Sequence, residues 1–311
     1  MLYCRNYWRN ELVFKRITLV GLGLIASSIA LSVKEKWKKV EINGYDICPK
    51  VRKSARKIKL CQVKDKLNEA VKGANLVILC VPVGQIPEVI KGLSEEITSE
   101  MIITDVGSVK LSLIESLVPI LQEKMNCFVP GHPIAGTEKS GPESGFSGLF
   151  EGRWCILTPQ ELTDSNAVMK VKNFWSSLGM NIKIMSPEHH DLVLAVTSHA
   201  PHLIAYTMVG VVNDLETVTE SEIINYSAAG FRDFTRIAAS DPTMWRDIFL
   251  NNKKAHLEVL GRFTEELFSL QRAIRREDGD YLLKYFKRTR DIRKSIVEAG
   301  QDTKNPDFGR N

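Results

Sequence analysis

The chain lacks a CxxC pair, an HExxH zinc motif, an internal repeat and a low-complexity tract, and each absence removes a class of protein. Its six cysteines (4, 48, 61, 80, 127 and 155) are scattered, some inside apolar runs such as VILCV. They read as reduced thiols of a cytoplasmic protein, not as a disulfide framework. A strong excess of one charge sign is lacking too: the formal net charge is +5 over 311 residues. The densest basic stretches, 34–39 and 52–59, suit solvated helix surface, and no helix-turn-helix or concentrated basic face marks a nucleic-acid binder. The uncharged stretch 17–33 is short for a membrane span and is interrupted by Gly21 and Gly23, which argues against an anchor or a signal peptide.

What remains is an ordinary soluble composition, 44% hydrophobic and 25% charged, with enough length for two domains. Through the first half, short apolar runs alternate with helical patterns. RITLVG, VEINGYD, NLVILCVPV, MIITDVG and CFVPG read as successive strands, and RWCILT and NIKIMS close the series. Such alternation predicts a Rossmann-like, doubly wound, mostly parallel sheet. After Ser186 and Pro187 no strand pattern follows, only amphipathic stretches at 188–216, 220–226, 242–275 and 277–298. The expected organisation is an N-terminal extension (1–15), a dinucleotide-binding domain (16–186), an all-helical domain (187–298) and a polar tail (299–311).

LVGLGLIASS fits the G-x-G-x-x-A fingerprint with Gly21, Gly23 and Ala26, after a strand and at the start of a helix. Gly21 permits the tight turn and Gly23 a close approach of backbone to pyrophosphate at the helix N-terminus. Asp46 ends the next strand about 20 residues after Ala26, where a carboxylate accepts from the adenosine ribose and repels a 2′-phosphate. NAD is the cofactor this implies, although Lys50 and Arg52 lie close by.

Three polar sets carry the chemistry. His132, in GHPIAGTEKSG, sits between Gly131 and Pro133, which predicts a rigid loop at the carboxyl end of the fifth strand. Ser108, after the fourth strand, reaches the same edge and would hold the imidazole in one tautomer as a proton acceptor. A satisfied loop histidine, with Ser108 capping a helix over 109–124, accounts for the same residues. Asp191, Ser198 and His202 are spaced to share one helix face. A metal site among His189, His190, Asp191, His199 and His202 is the rival, disfavoured by the spacing and by Pro201, so no metal is expected. Arg236, in an apolar segment, needs a carboxylate, from a ligand or from Asp233 or Glu138.

Taken together, GLGLIASS, VILCVPV, TDVGSVK, GHPIAGTEKSG, SPEHHD, SHAPHL and GFRDFTRIAASDPTMWRDI resemble the prephenate/arogenate dehydrogenase family of tyrosine biosynthesis, in order from about residue 16 to 275. Ala26 stands where that family usually has Gly. The resemblance implies NAD-dependent oxidative decarboxylation of prephenate, or of arogenate. His132 would meet the C4 hydroxyl, Ser108 would orient it, and Arg236 would clamp a substrate carboxylate. His202, Trp245 and Ser198 would line the substrate pocket; Leu24, Ile25, Val81 and Pro82 would join the glycines and Asp46 around NAD. It also implies a homodimer through the helical domain. A β-hydroxyacid dehydrogenase relative or a non-catalytic nucleotide sensor are the alternatives.

Overall fold

A computed structural model describes residues 14–137, 139–214 and 229–298. The N-terminal arm, the stretch 220–226, the polar tail and Glu138 lie outside the described residues. The first half forms β1 (Arg16–Val20), α1 (Leu24–Lys36), β2 (Glu41–Tyr45), α2 (Pro49–Lys57), β3 (Gln62–Val63) and α3 (Leu67–Val71). It continues with β4 (Leu76–Leu79), α4 (Ile86–Leu93), β5 (Ile102–Asp105), α5 (Leu111–Leu121) and β6 (Phe128–Val129). The six strands pair in the order β3-β2-β1-β4-β5-β6, every pair parallel. Alternation along the strands sorts side chains to opposite faces. Leu76 and Ile78 of β4 join the cluster built on Phe14, Ile29, Phe174 and Trp175, while Val77 and Leu79 join the one built on Ile86, Leu113 and Leu117. A sheet buried on both faces is what makes its strands read as continuous apolar runs.

Three expectations need correction. β3 carries no apolar run, because a two-residue edge strand needs little burial. The runs RWCILT and NIKIMS form β8 (Trp154–Leu157) and β9 (Asn181–Ile184) of a separate three-stranded sheet with β7 (Gly131–Pro133). His132 is therefore not on a loop: β7 is a short strand antiparallel to β8, with His132 opposite Ile156. Gly131 and Pro133 limit the strand's length without preventing its pairing.

The Asp164 carboxylate caps α6 (Ser165–Ser177) by accepting from Asn166 and Ala167 N–H, and beyond β9 the regular elements among the described residues are helical. α7 (Pro187–Leu194) passes through a π turn (Ala195–His199) into α8 (Ala200–Asp214). Then come α9 (Ala229–Thr235), a 3₁₀ turn (Arg236–Ala239), α10 (Pro242–Asn251), α11 (Lys253–Arg275) and α12 (Gly279–Ile296). Asp241 caps α10 through Met244 N–H, with Pro242 in the first turn. The single segment expected over 242–275 breaks at Asn252.

Two compact units divide the chain at His256 and Leu257. The first holds both sheets and the helices through α10, whose Trp245 and Ile248 pack into the cluster with Val83. The second is the remainder of α11 with α12, whose Asp278 cap accepts from Tyr281 N–H.

Candidate active site

The glycine turn after β1 is fixed by its backbone. Gly21 has φ +88°, and a Cβ there would stand 2.5 Å from the Cys80 carbonyl oxygen and 2.9 Å from Val81 Cγ1. Val81 thus borders the turn just beyond the end of β4, with Pro82 next along the chain. Nothing lies within 4 Å of a Cβ placed on Gly23, so the space beside the α1 N-terminus is open. Gly23 itself begins α1 without a side-chain cap, and no acidic residue occupies the first turn. Leu24, Ile25 and Ala26 turn inward, Ala26 with no exposed surface. The Asp46 carboxylate accepts from Leu22 N–H and Cys48 N–H, both at 2.8 Å, which latches it to the glycine turn. Arg52 is engaged elsewhere, donating to the Asp46 and Ile47 carbonyls and pairing with Asp65. Open amides for a pyrophosphate and a fixed carboxylate for a ribose fit NAD.

At the end of β5 lies a buried ion pair. The Lys110 ammonium binds the Asp105 carboxylate, neither side chain exposed, and donates to the Gly131 carbonyl at 2.8 Å. Asp105 also accepts from Gly107 N–H (2.8 Å) and Gly131 N–H (3.1 Å). This network joins loop 106–110, which carries Ser108, to the start of β7, one residue before His132.

His132 is 8% exposed. Its Nδ1 lies 2.9 Å from His190 Nε2, and His190 Nδ1 lies 2.7 Å from Asp191 Oδ1. Burial foremost, with the neighbouring His190, Lys110 and His199 charges, holds the His132 pKa well below its ordinary value of 6.5. Burial also lowers that of His190, against the opposing effect of the Asp191 hydrogen bond. Both imidazoles are neutral near pH 7, the form that accepts protons.

Ser108 does neither thing expected of it within the protein. Among the described residues its side chain makes no hydrogen bond, so it neither orients His132 nor caps a helix. The cap comes from α7: Asp191 accepts from Lys110 N–H (2.9 Å) and Leu111 N–H (3.0 Å) at the start of α5. Asp191 therefore does not belong to an open polar stripe with Ser198 and His202. It is 4% exposed, and the π turn between them breaks the 3.6-residue period on which that face was drawn.

His202 and Trp245 do meet. Their rings stack at 3.8 Å and 25°, and His202 Nδ1 is 2.8 Å from the carbonyl of Ser198. The His202 pKa is lowered chiefly by burial, with the Ser198 carbonyl opposing and Arg236 adding to the fall. Arg236 thus lies within electrostatic reach of His202. It is exposed, so the expectation of apolar surroundings fails: the residues flanking it are the apolar ones. Behind them His199 Nδ1 sits 3.0 Å from His256 Nε2, and burial pushes the His199 pKa down to about 3. Among the described residues no group of three His, Cys, Asp or Glu side chains is placed to hold a metal ion.

The contacts of His190 with His132 and Asp191, and the Asp105–Lys110 pair, were missed in the sequence. HHD and the five-residue spacing inside TDVGSVK were the only signals, and neither shows which side chains face inward.

The chain is similar in sequence and in structure to known proteins. A model of the nucleotide-binding domain of prephenate dehydrogenase matches residues 29–184, and a model of the prephenate dehydrogenase dimerization domain matches 186–288. The chain belongs to the prephenate dehydrogenase family. Cyclohexadienyl dehydrogenase of Zymomonas mobilis is 44% identical over 91% of this chain and 97% of its own length. Prephenate dehydrogenase of Bacillus subtilis is 37% identical, over 90% of this chain and 76% of its own. The crystal structure of Aquifex aeolicus prephenate dehydrogenase, in complex with hydroxyphenyl propionate and NAD+, superposes with a TM-score of 0.84 at 37% identity, covering 92% of this chain and all of that one. The parallel sheet followed by helices is this family's fold, and NAD+ is bound in that Aquifex structure.

Proposed function

We propose that the protein catalyses NAD-dependent oxidative decarboxylation of prephenate to 4-hydroxyphenylpyruvate, a step of tyrosine biosynthesis. The observation that carries this reading is His132, a buried, neutral imidazole at the carboxyl edge of a dinucleotide-binding sheet. When bound beside Gly23 and Asp46, NAD supplies the hydride acceptor. His132 takes the proton of the C4 hydroxyl as that carbon is oxidised. The bond from C1 to its carboxylate then breaks, its electron pair completing the aromatic ring as CO2 leaves. Ser108, whose hydroxyl is uncommitted, orients the C4 hydroxyl; Arg236 holds the ring carboxylate; His202, Trp245 and Ser198 shape the side-chain end.

A second reading, arogenate as substrate, is favoured by the relative named for the cyclohexadienyl ring alone. Steady-state kinetics with prephenate and with arogenate, each with NAD and with NADP, tests both. Hydride transfer from neither would remove the reading, and a preference for NADP would remove the role given to Asp46. In the same assay Arg236→Gln is expected chiefly to raise KM for the substrate, by a loss of about 2–5 kcal/mol if the ion pair with the carboxylate is desolvated. An unchanged KM would leave that carboxylate with another partner.

We also propose that the protein is a homodimer joined through its helices. The run Pro187–Asp214 is long and apolar enough to cross a membrane by length and composition. Its exposed Val196, Met208, Val209 and Val211 are apolar surface that a second copy would cover. Light scattering at micromolar concentration is expected to give twice the chain mass; a stable monomer would refute it. Cys61 and Cys127 are free thiols pushed up to about 11 by burial, which suits a reducing, cytoplasmic setting that cell fractionation checks.

A further inference from the structure

We propose that His190 and Asp191 are positioning residues for the proton transfer, a relay that fixes which nitrogen of His132 faces the substrate. The inference rests on the reading of His132 as proton acceptor. Both oxygens of Asp191 already accept backbone N–H bonds from the start of α5, an arrangement suited to an ionised carboxylate, which can only accept. The 2.7 Å contact with His190 Nδ1 therefore needs a proton on that nitrogen. A neutral imidazole has a single N–H, so His190 Nε2 is left as an acceptor. The 2.9 Å contact with His132 Nδ1 then requires the proton to be on His132. His132 has no further N–H, and its Nε2 carries a lone pair. One carboxylate thus selects the tautomer of an imidazole two side chains away.

The same carboxylate caps α5, directly after the loop bearing Ser108. Asp191 thereby sets the proton acceptor through His190 and the hydroxyl loop through the α5 amides. When His132 takes a proton, its Nδ1–H bond to His190 is retained, with Asp191 behind it to balance the charge. The position of Ser108 after the fourth strand drew attention to that residue for this task; the hydrogen bonds assign it to α7.

The test pairs nitrogen-15 NMR of histidine-labelled protein with the kinetics of two variants. In the parent at pH 8, His132 is expected as the Nδ1–H tautomer. His190→Phe, which keeps a ring and removes the acceptor, should lose that preference and about 10- to 100-fold in kcat, the range seen when a partner orienting a functional imidazole is removed. KM for prephenate should change little. His190→Gln, which returns a carbonyl acceptor near the place of Nε2, should recover part of the loss. A parent His132 protonated on Nε2 overturns the relay, and so does a Phe variant within about threefold of the parent kcat, well short of a typical proton-transfer contribution. If the Phe variant does not fold, the parent spectrum and the Gln variant still decide. Failure of the underlying reading looks different: His132→Asn would keep its turnover whatever tautomer the parent shows.

Discussion

His132→Asn is expected to fold, to bind NAD as the parent does, and to lose about 10²–10⁴-fold in kcat, the usual contribution of a positioned acid–base group. The choice of asparagine matters. Its amide nitrogen stands near the place of Nδ1 and can still donate to His190, while nothing replaces Nε2. The backbone of β7, with its pairing to Ile156, is untouched. A collapse in stability would therefore argue against the reading as much as normal turnover would. The parent's own pH profile carries the matching sign. Because the His132 pKa is lowered, the competent neutral form persists well below pH 6.5, and the acid limb of kcat/KM falls on the low side of that value. A limb centred above 6.5 would belong to another group. A variant within about threefold of the parent would take His132 out of the chemistry.

Lys110→Met should be the most destabilising single change near the site, by about 3–5 kcal/mol, since it leaves the Asp105 charge buried and without its cation. Neither side chain of the pair is exposed, so water cannot take the place of the ammonium. Gly107 and Gly131 N–H still reach the carboxylate, which softens the loss without cancelling it. Denaturant unfolding of the variant checks the magnitude. The double variant Asp105→Asn/Lys110→Met removes both charges and should recover most of the stability. A single variant within about 1 kcal/mol of the parent, the range of an exposed pair, would show that the two charges are not a buried unit. Because the same ammonium donates to the Gly131 carbonyl, the single variant should also lose kcat through displacement of His132.

The sheet was legible because burial on both faces writes itself as apolar runs, and the glycine turn because Gly21 must adopt a positive φ. His132 was found for a reason the structure does not bear out: its flanking Gly and Pro suggested a bend, yet the residue is in a strand. The relay was invisible for a plainer cause. His190 and Asp191 are neighbours in sequence, whereas their partners His132, Lys110 and Leu111 come from elements brought together only by the fold. The shared face drawn through Asp191, Ser198 and His202 failed because a π turn adds to the helical repeat without any marker beyond Pro201. Arg236 was read as needing a carboxylate from the apolar segment it keeps company with in sequence, and it is exposed at the start of a short 3₁₀ turn.

Five of the chain's six histidines, His132, His190, His199, His202 and His256, have pKa values held below the ordinary 6.5. Above 6.5 neither the folded nor the unfolded chain binds protons at these rings, and their contribution to stability is complete. As the pH falls below 6.5 the unfolded chain takes up protons that the fold refuses, down to about 3 in the case of His199. The folded state is thus out-competed for protons across that window. The melting temperature should drop steadily on acidification, and a flat profile from neutral pH to pH 4 would contradict it. The burial that keeps these imidazoles neutral at neutral pH makes acid the condition in which the protein comes apart.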